Sequence, residues 1–137
     1  MRHGFTLVEL LIVMVIIGIL ATIAIPAFSR TKQQVDRALM QSDLRVLATA
    51  EDAYFADSLS YGTATSCDYP VPSGHVFWCV TSGNTLGTIT IGTGGQAGWT
   101  VNITNKDTGT SCAIYIGNVT PASPERPGDQ EGVPVCR

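Results

Sequence analysis

The sequence predicts an α+β chain in which a long N-terminal α-helix, apolar enough to span a membrane in its first half, packs its second half on a small antiparallel β-sheet. Three observations predict it. No charged residue stands between Glu9 and Arg30. Residues 29–57 hold neither Gly nor Pro and read as an amphipathic helix. Beyond Ser58 the composition turns to Gly, Thr, Ser and β-branched residues, which marks the end of the helix and the start of strands.

The apolar stretch at residues 10–29 is twenty residues long. At about 1.5 Å per residue it reaches roughly 30 Å, the thickness of a bilayer's hydrocarbon core. With 137 residues in all, too little chain remains to bury a helix that is apolar on every face. Pro26 lacks an amide hydrogen and clashes with the preceding turn, so a kink or local melting is expected between Gly18 and Pro26. Gly18 also lets two helices approach closely, and both roles are compatible.

In the second half, Val35, Leu39, Val46, Leu47, Ala50, Ala53 and Tyr54 fall on one side of a helical projection, with Arg37, Gln41, Arg45 and Asp52 opposite. The first set is expected to pack on the sheet. Asp36 and Asp43 intrude on that side, either at its edge or toward another molecule. Strands are expected at residues 75–81, 85–91, 99–105 and 111–116, in an antiparallel meander whose last turn is residues 105–110. Trp99, Val101 and Ile103, and one alternating set within 112–116, should face the helix. Residues 92–95 read as a turn. The tail at 120–137, with Pro121, Pro124, Pro127 and Pro134 and no apolar period, reads as an irregular loop pinned by Cys136.

Four cysteines, Cys67, Cys79, Cys112 and Cys136, all follow the apolar helix, and an even count on one side of a membrane points to two disulfides in an oxidising compartment. Three pairings are open. Cys67 with Cys79 and Cys112 with Cys136 is expected, because each pair then closes a separate local loop. Zinc is disfavoured, since there is no C-x-x-C pair and the histidines are only His3 and His75, the latter read as an ordinary strand-start residue. Eight Lys and Arg against eleven Asp and Glu, scattered along the chain, form no phosphate-binding stripe, so no nucleic-acid partner is predicted from the single chain. Asp129 and Glu131, near Gly128, are a weak candidate for calcium; two acids in an exposed loop are usually just solvated. The triplets at Asn102 and Asn118 match the N-glycosylation pattern, but so short a pattern in a Thr-rich chain is best read as chance.

The N-terminus departs from an ordinary secretory signal, because the basic part is confined to residues 1–4 and the apolar region is too long. Cleavage, if it occurs, must precede the apolar segment, where Gly4-Phe5-Thr6-Leu7-Val8-Glu9-Leu10-Leu11-Ile12-Val13 stands. These residues closely resemble the class III signal of type IV pilins and of the pseudopilins of type II secretion. The resemblance rests on Gly4 before the cut, Phe5 after it, Glu9 at the fifth mature position, the uninterrupted apolar run, and Pro26 at the twenty-second mature position. It covers roughly residues 4–30. The leader is short and has His3, rather than Lys or Arg, before Gly4.

The resemblance implies a pilin-like fold, cleavage between Gly4 and Phe5 by a prepilin peptidase, and N-methylation of Phe5. A carboxylate in an apolar helix needs a partner. Cleavage creates one, the α-amine of Phe5, either one turn away in the same chain or offered by a neighbouring subunit, whose pairing with Glu9 would set the stagger between subunits. A snorkelling carboxylate at the membrane edge is the plainer alternative. Phe5, Glu9, Gly18 and Pro26 are thus the candidate assembly residues. The expected organisation is a leader at 1–4, a transmembrane and polymerisation helix at 5–29, its amphipathic continuation at 30–57, and a β-sheet head at 58–137 whose C-terminal loop corresponds in position to the cysteine-bounded loop of many pilins. An unbroken helix over 5–57 would be about 80 Å long, which implies a lollipop-shaped subunit.

No catalytic constellation is visible: there is no G-x-S-x-G and no Gly-rich loop followed by Lys-Ser or Lys-Thr. No enzyme, cofactor or metal is expected. The implied protein is a structural subunit of a type IV pilus, inserted in the inner membrane as a single-pass precursor with its head outside the cytoplasm, then built into a surface filament for adhesion, motility or DNA uptake. Its partners would be membrane lipid, prepilin peptidase, the assembly platform, other pilins and itself. A type II secretion pseudopilin is the alternative, although the Asp-Pro-Trp-Gly type of segment usual in the major pseudopilin is absent. A single-span anchored binding protein would explain the span and the cysteines but not the Gly4-Phe5 junction with Glu9.

Overall fold

In a computed structural model, residues 4–92, 98–126 and 128–137 are described. The chain divides into two compact units, Met1–Gln34 and Val35–Arg137. Helix α1 (Leu7–Ser58) belongs to both. The strands are β1 (Ala64–Ser66), β2 (His75–Phe77), β3 (Asn84–Leu86), β4 (Thr90–Ile91), β5 (Gly98–Asn105), β6 (Ser111–Gly117) and β7 (Val135–Cys136).

In the first unit α1 carries apolar side chains on every face, and all of residues 7–29 except the half-buried Ala21 are exposed. Its most apolar window reaches a mean hydropathy of 2.9, so by length and composition this helix is able to cross a membrane. The helix passes through Gly18 and Pro26 without interruption. The local melting expected there is absent: Pro26 removes one donor from the ladder, and the remaining i to i−4 bonds keep their neighbours helical.

In the second unit the face of α1 turned inward is Met40, Leu44, Leu47 and Glu51, at i, i+4, i+7 and i+11, all fully buried. This corrects the expected face in part, since Leu47 is buried and Ala50 and Tyr54 pack against the core as expected. Val35, Leu39 and Val46 are 52%, 43% and 56% exposed, and Ala53 is exposed too. Asp36 and Asp43, which intruded on the expected side, are half-buried beside the observed stripe, and Glu51 lies on it. Burying each of Leu44 and Leu47 contributes about 1.5–3 kcal/mol. The helix ends at Ser58, whose hydroxyl donates to the Tyr54 carbonyl, while Leu59 turns left-handed (φ 56°) and donates its amide to Phe55.

The main sheet has the order β3-β5-β6-β7, all antiparallel, with β4 also paired to β5. Its long central pair runs from Gly98↔Gly117 to Thr104↔Ser111. Trp99, Val101 and Ile103 of β5, with Cys112 and Ile114 of β6, face the core alongside Met40, Leu44, Leu47, Val76, Trp78 and Ile89. The 105–110 turn forms as expected, with Gly109 at φ 65°.

Three strand expectations need correction. The segment at 85–91 is two short strands, because the register with β5 slips by one residue between Leu86↔Ile103 and Thr90↔Thr100. This is a bulge, placed where Gly87 donates to the Asn102 carbonyl at 2.7 Å and where an added Cβ would come within 1.9 Å of Asn102 Oδ1. The segment at 75–81 is a strand only over His75–Phe77; it leaves the meander and pairs in parallel with β1, which the sequence did not signal. Finally, the tail is not wholly irregular, since β7 adds to the edge of β6. Strands of two or three residues carry no readable alternation. The turn expected at residues 92–95 lies outside the described residues from 93 onward.

Candidate functional site

The N-terminal residues that carry the processing motif are open to solvent. Phe5 is 85% exposed, and nothing lies within 4 Å of a Cβ built on Gly4 or on Gly18. The carboxylate of Glu9 is occupied by its own helix start. Its Oε2 accepts from the Thr6 amide at 2.9 Å and from the Thr6 hydroxyl at 2.8 Å, while the Glu9 amide donates back to Thr6 Oγ1 at 3.3 Å. This is a capping box, Thr6 at the N-cap and Glu9 three residues on. The Thr-x-x-Glu spacing immediately before an apolar run was the signal that sequence reading passed over. Of the candidate assembly residues, Phe5 and Glu9 lie on either side of Thr6 at the helix start, with Glu9 bonded to Thr6, while Gly18 and Pro26 lie farther along the exposed helix, about two turns apart.

A polar ladder ties the second half of α1 to the sheet. Asp43 accepts from the Thr81 amide (3.1 Å), the Thr81 hydroxyl (2.8 Å) and Asn84 Nδ2 (3.4 Å). Asn84 Oδ1 accepts from Asn105 Nδ2 at 2.9 Å, and Asn105 Oδ1 takes the amides of Asp107 and Thr108 in the β5–β6 turn. The acid that intruded on the apolar face is thus an intramolecular anchor.

Both disulfides form as local loops, Cys67–Cys79 and Cys112–Cys136. The second joins residues directly opposite each other on β6 and β7. The tail is further held by Arg137, whose Nη1 and Nη2 meet Asp129 at 2.9 and 3.0 Å, and by Tyr115, whose hydroxyl donates to the Asp129 carbonyl. Arg137 holds the Asp129 carboxyl below its ordinary range, helped by a hydrogen bond from the Arg126 amide. Glu131 accepts from the Gly117 amide. Each acid of the weak calcium candidate thus has its own protein donor. Among the described residues, no three His, Cys, Asp or Glu side chains converge as metal ligands. An open cleft is lined by Thr90, Ile91, Gly92, Asn118, Val119 and Thr120, none of them titratable, among the described residues. His75 begins β2 and sets its Nδ1 3.2 Å from the Ser73 carbonyl.

Sequence reading missed two buried acids. Glu51 is fully buried and Glu125 is 6% exposed, and burial pushes each carboxyl up to about 7. For Glu125 the nearby Asp129 adds to the rise and Arg137 opposes it. A single Glu in a helix or a proline-rich tail carries no local mark of burial, so no sequence signal could have found them.

Residues 1–25 match the family described as the prokaryotic N-terminal methylation motif. The chain is similar to the type II secretion system core protein G of Klebsiella pneumoniae, 40% identical over 62 residues that make up 45% of this chain and 44% of that protein. It is similar to the same-named protein of Escherichia coli K12, 39% identical over 45% of this chain and 43% of that protein. The type IV major pilin protein PilA of Myxococcus xanthus is 43% identical over 60 residues, 44% of this chain and 27% of that protein. These matches span less than half the length of the curated relatives. No solved structure matches the chain. The chain thus carries the prokaryotic N-terminal methylation motif at residues 1–25 and is similar, over less than half its length, both to a type II secretion system core protein and to a type IV major pilin.

Proposed function

We propose that this chain is a structural subunit of a type IV pilus, cleaved between Gly4 and Phe5, N-methylated on Phe5, and polymerised from the inner membrane through α1. The observation that carries the reading is an apolar helix, exposed on every side and opened by Glu9, in a chain whose C-terminal loop is closed by Cys112–Cys136. Water is a poor solvent for such a helix; lipid before assembly and the helices of other subunits afterwards are good ones. In the second unit the exposed stripe of Val35, Leu39 and Val46 is a further apolar surface that supports self-association of copies. Prepilin peptidase, an inner-membrane assembly platform and other pilins are the partners this reading requires, with the head outside the cytoplasm. Catalysis and a cofactor have no part in it.

A second reading, a pseudopilin of type II secretion, is favoured by the similarity to core protein G. Against it stand the absent Asp-Pro-Trp-Gly type of segment and the two disulfides. Mass spectrometry of filaments sheared from the cell surface separates the two. The pilus reading expects a chain beginning at methylated Phe5, with both disulfides intact, as a component of those filaments. Recovery of the mature chain only from the envelope, together with loss of protein secretion in a deletion strain, would overturn it in favour of the pseudopilin.

A further inference from the structure

Glu51 is the one acid on the inward face of α1 with no exposed surface among the described residues. Its Oε2 accepts from the Gly62 amide at 2.8 Å, whereas Oε1 is buried without a hydrogen-bond partner. A Cβ built on Gly62 would stand 2.4 Å from Val76 Cγ2 and 3.4 and 3.5 Å from the two Glu51 oxygens. No methyl group fits at Gly62 beside Val76, so the three residues are closely packed. Gly62 leads into β1 and Val76 is the buried centre of β2, so the carboxylate lies against the parallel β1–β2 ribbon. That ribbon is tied off by Cys67–Cys79 and is separate from the main sheet.

Among the described residues, the titratable groups that act electrostatically with Glu51 are its exposed neighbour Asp52 on α1 and Tyr61 on the loop that follows the helix. His75 precedes Val76 in an extended strand and therefore points to the opposite face. None of these supplies a positive charge to the site. A buried carboxylate with one hydrogen bond and no cation is tolerated when neutral and strongly disfavoured when ionised.

We propose that Glu51 is a proton-controlled latch, which seats the β1–β2 ribbon on α1 while its carboxyl is neutral and releases the ribbon by local opening when it ionises. The ribbon and its loop carry the exposed Phe77 and Tyr69, so the latch decides whether that aromatic surface is held rigid. Burial first, then Asp52, raises the carboxyl from an ordinary 4.5 to about 7, against the pull of the Gly62 hydrogen bond. A raised folded value means the closed state is fully favoured below about 4.5 and loses ground as the pH rises through about 7. At tenfold per pH unit between those values, the closed-to-open ratio falls by about a hundredfold from pH 5 to pH 8.

Hydrogen exchange on the full-length chain in detergent micelles tests this, with each amide's rate normalised to its intrinsic rate at that pH. Protection across β1, β2 and the Gly62 amide is expected to fall by about a hundredfold between pH 5 and pH 8 in the wild type. It should stay level in Glu51→Gln, while the β5–β6 amides hold their protection in both. A level wild-type profile, or an equal fall in Glu51→Gln, overturns the latch. Should Glu51→Gln fail to fold, the carboxyl carbon of Glu51 in the wild type is titrated by NMR: a midpoint near 7 supports the proposal, and one near the ordinary 4.5 sinks it.

Discussion

Asp43, on the second half of α1, grips both the backbone amide and the hydroxyl of Thr81, 38 residues away in sequence. The paired bonds fix the rotation of the helix over the sheet edge. Through Asn84 the same carboxylate reaches Asn105 and the β5–β6 turn. Replacing Asp43 by Ala strips the acceptor from Thr81 and Asn84 together. The expected cost is about 1.5–3 kcal/mol, as for hydrogen bonds to a charged group. Chemical denaturation should show it as a lower midpoint with an unchanged slope. A loss under about 0.5 kcal/mol would mean that the ladder is merely solvated.

The Cys112–Cys136 bond closes a loop with a sequence separation of 24. On the chain-entropy view such a loop contributes about 3 kcal/mol. With Cys136→Ser, β7 is left to its short pairing with β6 and to the ion pair between Arg137 and Asp129. The tail amides at 128–137 should then exchange fast while the β5–β6 amides remain protected. Simultaneous loss of protection in both would show that the tail and the sheet unfold as one unit.

Glu125 is buried near the tail with neither carboxylate oxygen hydrogen-bonded. Burial and then Asp129 raise it from an ordinary 4.5 to about 7, so its contribution to stability is whole below about 4.5 and is lost as the pH climbs through about 7. Asp129 is shifted downward, and its own effect lies at the acid end, outside this window. In Glu125→Gln, the drop in head stability between pH 5 and pH 8 should shrink by roughly 2–3 kcal/mol. Urea melts at the two pH values measure it. An undiminished drop in the variant would assign the pH dependence elsewhere, with Glu51 the first place to look.

Glu9→Ala removes the one acid of the apolar segment and leaves that segment still more apolar. Membrane insertion and cleavage after Gly4 are expected to continue. Assembly is expected to fail, because the amine of a neighbouring Phe5 then enters an apolar filament interior with no carboxylate to meet it. Mature chain should accumulate in the membrane fraction, read by fractionation and N-terminal sequencing. Normal amounts of surface filament from Glu9→Ala cells would remove the pairing role. Thr6→Val is the companion test: it breaks the capping box but keeps the charge, and should leave filaments intact.

Much of this molecule was legible in one dimension because its signals are long or local. Twenty residues without a charge, a helix with no Gly or Pro over 29–57, alternation through Trp99, Val101 and Ile103, and cysteines spaced for local loops all survive as read. The N-terminal methylation motif is a contiguous string, so no fold was needed to find it.

What only the tertiary structure decided turns on partners far apart in sequence. Sequence alone determined that α1 has a buried face and placed Leu47, Ala50 and Tyr54 on it, but not that Asp43 and Glu51 are held there by donors from Thr81, Asn84 and Gly62. The parallel ribbon of β1 and β2, the bulge at Gly87 and the edge strand β7 are likewise two- or three-residue events, fixed by backbone pairing and disulfide closure rather than by periodicity. Burial of a polar group is a property of its surroundings. A sequence names the group, and only the packed chain determines whether water can reach it.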